Sequence, residues 1–92
     1  MLDVPLTPPQ VRLLIQGVLN EGDLEFSAHA LQEMKKDGLS ELDIVNVLRG
    51  SWPEPGEYEH GSWRYRISTQ QITVVISFRD DSWLVVVTAW RE

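Results

Sequence analysis

His29 is the side chain best suited to acid–base chemistry in this sequence. It stands two residues after Ser27 in SAHALQEMKK, where a serine ahead of an apolar helical spacing marks a helix cap. The imidazole then lies in the first helical turn. The helix dipole there disfavours the imidazolium, and Glu33, one turn on along the same face, favours it. A histidine so placed can act as a general acid or base, with Lys36 close to the same face. The plainer reading is a half-buried histidine bonded to its surroundings at a helix start. Arg64 and Arg66 form the second candidate group. They alternate with Trp63, Tyr65 and Ile67, so one strand face carries both guanidiniums. Paired arginines suit phosphate recognition and stabilise charge developing on a phosphoryl group. The plainer reading is a solvated outer face with cross-strand charge pairs. Arg91 follows the last strand and would line up with this pair if the register allows. Arg79, beside Asp80 and Asp81, reads as a surface charge.

Metal and cofactor chemistry find little support. His29 and Glu33 give H-x-x-x-E with only the distant His60 as a third ligand, whereas zinc takes three or four. A metal-dependent enzyme built on His29 and Glu33 is therefore the weaker reading. His60 precedes Gly61 and suits a turn. The sequence holds no Walker loop, no G-x-G-x-x-G and no Ser–His–Asp pattern. We expect no metal and no cofactor.

The elements that must position these residues are legible from periodicity. Thr7-Pro8-Pro9-Gln10 forms a capping box with proline at the first helical position. Val11, Leu14, Ile15, Val18 and Leu19 then make an apolar stripe, ended at Asn20-Glu21-Gly22. Asp23-Leu24-Glu25-Phe26 reads as a short extended link. Ser27 opens a second helix that buries Ala30, Leu31 and Met34 and stops at Asp37-Gly38. Lys35 and Lys36 complement the dipole in its last turn. Ser40, with Asp43 three residues on, opens a third helix with Leu42, Ile44, Val45, Val47 and Leu48 on its apolar face. Trp52 falls in a Pro-rich loop and is expected to be exposed.

The stretch from Trp63 to Trp90 organises the rest. Trp63 to Ser68 alternates, Ile72 to Phe78 is rich in β-branched residues, and Trp83 to Trp90 is apolar on both faces. Breaks of three and four residues join only antiparallel neighbours. The expectation is an antiparallel meander with Trp83–Trp90 near its middle and Trp63, Trp83 and Trp90 in its core. Tyr58 to Ser62 adds a fourth strand through a tight turn at Gly61. The fold class is α+β: helices on one face of a four-stranded antiparallel sheet, in the order α-α-α-β-β-β-β.

Ninety-two residues without cysteine make a single domain, residues 1–92, with no disulfide framework. No segment is apolar enough to span a membrane, and MLDVPLTPPQ lacks the basic start of a signal peptide, so a cytoplasmic protein is expected. The net charge is −6, unevenly spread: residues 1–60 hold four basic against eleven acidic side chains, and residues 61–92 four against three. An acidic chain is a poor general nucleic-acid binder, but its sheet half can present a local arginine cluster.

Ser27-Ala28-His29-Ala30-x-x-x-Met34, Gly38-Leu39-Ser40 and Val47-Leu48-Arg49-Gly50 are followed by Trp63-Arg64-Tyr65-Arg66, Val74–Phe78 and Val86-Val87-Thr88-Ala89-Trp90. This series resembles a group of small, mostly uncharacterised bacterial domains over about residues 26–91. These are similar to the RelE/ParE-like toxins of toxin–antitoxin pairs, including the MqsR and BrnT types. Glu33 stands where that pattern carries a basic residue. The resemblance implies a RelE-like fold and a metal-independent endoribonuclease acting on RNA. It implies His29, Lys36, Arg64 and Arg66 as catalytic residues, Lys35 and Arg91 as RNA contacts, and an antitoxin protein as partner. The alternative from the acidic surface and the Trp52 loop is a non-catalytic protein-interaction module, including one that pairs with itself through a strand edge to form a homodimer.

Overall fold

Each helix begins at the cap its sequence specifies. In the computed structural model, which describes residues 4–92, helix α1 spans Pro8–Glu21. The Thr7 hydroxyl accepts from Gln10 N–H and the Gln10 side chain accepts from Thr7 N–H, which satisfies two otherwise orphaned donors. Helix α2, Ala28–Asp37, is capped by Ser27 and ends at Gly38, whose φ of 68° favours glycine. Helix α3, Glu41–Gly50, starts from a reciprocal box between Ser40 and Asp43. The two hydrogen bonds from Ser40 hold the Asp43 carboxyl below its ordinary value of 3.8, with a small further lowering by the charge of Arg91.

Five strands follow the same logic of alternation: β1 Asp23–Phe26, β2 Glu57–Glu59, β3 Ser62–Ser68, β4 Ile72–Asp80 and β5 Trp83–Arg91. Their order in the sheet is β1-β5-β4-β3-β2. The meander β3-β4-β5 is antiparallel as its short connections require. Strands β2 and β3 form a two-residue hairpin whose turn, His60-Gly61, has φ of 50° and 83°. Both central residues at positive φ match the twist of the flanking strands.

The four-stranded antiparallel RelE-like layout must be corrected: the sheet has five strands and is mixed. Asp23–Phe26 is a strand, not a link. It pairs in parallel with β5, from Asp23↔Trp83 to Phe26↔Val86. Four residues, two of them acidic, give too little local signal. The strand is made by a partner about sixty residues away, through Asp23 N–H to Ser82 O (2.8 Å) and Ser27 N–H to Val86 O (3.0 Å). Strand β4 therefore holds the centre and β5 lies one place from the edge.

One core fills the space between the helices and one sheet face. Val11, Ile15 and Val18 of α1, Ala30 and Met34 of α2, and Ile44, Val47 and Leu48 of α3 meet Tyr65, Ile67, Val74, Ile76, Phe78, Leu84, Val86 and Ala89. Each large aliphatic side chain buried here contributes roughly 1.5–3 kcal/mol. The β4–β5 register steps from Val75↔Thr88 to Ile76↔Val86. The extra residue, Val87, is a bulge that shifts the alternation, so Leu84, Val86 and Ala89 all face the helices. Among the described residues no helix is long and apolar enough to cross a membrane.

Candidate functional site: the open face of the sheet

With the helices on one face, alternation leaves Arg64, Arg66, Thr73, Val75, Ser77, Arg79, Val85 and Trp90 on the other. Three arginines gather there. The Arg66 guanidinium lies 5.7 Å from the Trp90 ring centroid and that of Arg79 lies 5.3 Å from Trp83. Such stacking holds each cation in place while its N–H edge stays available. Trp83 is fixed from the β1 side by an Nε1–H bond to Glu25 (3.0 Å). The expectation of Trp83 and Trp90 as core residues is thereby revised: Trp83 is exposed and Trp90 half-buried, both as platforms for arginine. A guanidinium beside an indole satisfies a large ring without requiring full burial.

A groove of about 500 Å³ crosses this face, lined among others by Ser62, Arg64, Ser77, Arg79, Trp83 and Val87. Arg64 Nε is buried and has no hydrogen-bond partner among the described residues. Glu57 stands opposite Arg64 in the β2–β3 register, yet no arginine forms an ion pair with a described carboxylate. A buried guanidinium N–H flanked by serine hydroxyls is suited to an oxyanion.

The other residues singled out from sequence lie elsewhere. His29 is exposed in the first turn of α2, with no hydrogen bond or ion pair to a described residue. Its helix is anchored to the outer edge of β5, where the Ser27 hydroxyl donates to Val87 O (2.8 Å). Arg64 is on β3, two strand spacings away, about 10 Å across the sheet. Lys36 pairs with Glu33 at 3.2 Å, and Lys35 is exposed in the same last turn. Arg91 does not line up with Arg64 and Arg66. Its backbone N–H donates to the Asp37 carboxylate (2.8 Å) and its guanidinium to the carbonyls of Asp37 (3.1 Å) and Gly38 (3.5 Å), closing the end of α2. Alternation is the reason: with Trp90 on the open face, the next side chain points to the helices. The structure thus gathers Arg64, Arg66 and Arg79, and separates them from His29, Lys35, Lys36 and Arg91. Arg79 shares its face with Ser77, a signal present in ISFRD but masked by the neighbouring Asp80 and Asp81. Among the described residues no group of three His, Cys, Asp or Glu side chains could hold a metal ion.

Residues 26–91 match the family model described as a domain of unknown function, DUF4258. The chain belongs to that family. The matched region of this DUF4258 domain begins at Phe26, so it takes in α2, α3 and strands β2 to β5, including all three arginines of the open face. Helix α1 lies outside it and covers the core from the amino-terminal side. Neither a curated protein nor a solved structure matches the chain.

Proposed function

We propose that this DUF4258 domain acts on RNA in the bacterial cytoplasm, as a metal-independent endoribonuclease of the toxin–antitoxin type related to the RelE/ParE-like toxins. One observation carries the reading: the groove of the open face, lined by Ser62, Ser77 and Arg64, whose buried Nε has no hydrogen-bond partner among the described residues, with Arg66 and Arg79 stacked on tryptophans alongside. That grouping suits a backbone phosphate and the charge that builds on it during transfer. In the reaction the ribose 2′-hydroxyl loses its proton, its oxygen attacks the adjacent phosphorus, and the bond to the 5′-oxygen breaks. The leaving oxygen takes a proton and a 2′,3′-cyclic phosphate remains. His29, exposed in the first turn of α2 at the β5 edge and about two strand spacings from Arg64, is the acid–base group of this scheme.

A second reading is favoured by the two-strand separation between Arg64 and the edge that anchors His29's helix: a relative that binds without cutting. One experiment decides between them. Purified protein is incubated with end-labelled single-stranded RNA in chelator, wild type beside Arg64→Ala and His29→Ala, and each is induced in a bacterial host. Cleavage with growth arrest by the wild type alone supports the ribonuclease, with about 100-fold or more lost in Arg64→Ala. Binding without cleavage supports the second reading. Soluble protein that neither binds nor cuts RNA and leaves growth unchanged refutes both.

A further inference from the structure

Beside the arginine groove, at the end of the sheet, lies a smaller cavity of about 270 Å³. Its walls include Tyr58, Trp63, Tyr65 and Phe78, with Leu6 on one side and Arg79 at the mouth. The aromatic rings are already arranged in pairs. Tyr58 meets Trp63 edge to face at 5.4 Å and 69°, and Tyr65 meets Phe78 at 6.0 Å and 57°. The Tyr65 hydroxyl accepts from Leu6 N–H (2.9 Å), which fixes that ring from the far side. Tyr58 is 60% exposed and so presents much of its ring to solvent. Ser62, Ser77, Phe78 and Arg79 line both this cavity and the groove, so the two adjoin.

We propose that this cavity receives one unstacked nucleobase of the RNA whose phosphate lies on Arg64. The inference rests on the reading of the open face as an RNA surface and adds a base-recognition subsite to it. The volume is just below the usual range for drug-sized ligands and suits a single flat ring. Tyr58 and the half-buried Trp63 present ring surface on which a base can stack, while the buried Tyr65 and Phe78 close the floor; single strands are recognised by splaying bases onto such side chains. The hydroxyls of Ser62 and Ser77 at the junction supply donors and acceptors for a base edge. A pyrimidine, the smaller ring, is the better fit.

The test measures binding by fluorescence anisotropy, with wild-type protein and two probes. One is a labelled oligouridylate, the other the same oligomer with a single abasic ribose at its centre. Tyr58→Ala and Tyr58→Phe are measured beside them; Tyr58 is exposed, so both variants fold. The expected result is about tenfold or more weaker binding of the abasic probe by the wild type. Tyr58→Phe keeps that difference. Tyr58→Ala abolishes it and leaves the affinity for the abasic probe unchanged. Equal binding of both probes by the wild type, or equal weakening of both by Tyr58→Ala, overturns the base subsite and leaves the RNA surface standing. Binding of neither probe overturns the RNA surface and the subsite together.

Discussion

Ser27 makes two hydrogen bonds with one hydroxyl, and removing it separates their effects. Its oxygen accepts from Ala30 N–H at 3.0 Å as the cap of α2, and its hydrogen goes to Val87 O at 2.8 Å across the outer edge of β5. Loss of a serine cap to alanine costs about 1 kcal/mol. A part-buried carbonyl left without its donor costs about 1 kcal/mol more. Ser27→Ala should therefore destabilise the domain by about 2 kcal/mol, which for this chain length lowers Tm by roughly 8–16 °C. Ser40→Ala is the internal control. It removes an exposed capping box with no bond to the sheet, and about 1 kcal/mol or roughly 4–8 °C is expected. Thermal unfolding followed by circular dichroism gives both values under one condition. If Ser27→Ala costs no more than Ser40→Ala, the bond to Val87 adds nothing to the hold of α2 on the sheet, which then rests on Ser27 N–H to Val86 O and on the packing of Ala30 and Met34.

Three further substitutions test other parts of the structure. Gly22→Ala would set a Cβ 2.5 Å from Ser82 O and 2.8 Å from Val18 Cα, both backbone atoms. Overpacking of about 1–3 kcal/mol outweighs the 0.4–1 kcal/mol gained from a stiffer unfolded chain, so Tm should fall; a rise would deny the close approach. Asp43 has a lowered folded value, so its contribution is present above the ordinary 3.8 and is lost as pH falls through the folded value. Urea unfolding of Asp43→Asn should accordingly show a flatter acid limb below about pH 4 than the wild type, and identical limbs would remove the capping box as the cause. Arg91→Ala gives up the bonds to Asp37 and Gly38, so it should cost about 1 kcal/mol of stability while leaving RNA affinity unchanged in the same anisotropy assay. A large loss of affinity with no loss of stability would return Arg91 to the open face.

Local chemistry was the legible part of this chain. Thr7, Ser27 and Ser40 read as caps because a short polar side chain ahead of an apolar spacing has one structural use, and each proves to be a cap. His60-Gly61 read as a turn for a similar reason. The shared face of Arg64 and Arg66 followed from period-two alternation. What the residues did not show depends on distant partners. Strand β1 exists through a parallel neighbour far along the chain, and its alternation of Asp23, Leu24, Glu25 and Phe26 is too short to declare a strand by itself. The direction of Arg91 hangs on the register of the last strand, and the bulge at Val87 breaks the alternation from which that register would be counted. The tryptophans misled because their size suggests burial, whereas Trp83 and Trp90 serve the arginines above them.

The pairing of β1 with β5 also sets an order of events during synthesis. Ser27 and Val87 are sixty residues apart, and the loop they close costs about 2 kcal/mol more entropy than a four-residue hairpin turn. On the ribosome, α2 therefore emerges with its apolar face uncovered, because its main sheet partner, β5, is made about sixty residues later. Assembly waits for β5, and the arginine face, whose third member is aligned only when Trp83 arrives, forms at the same moment.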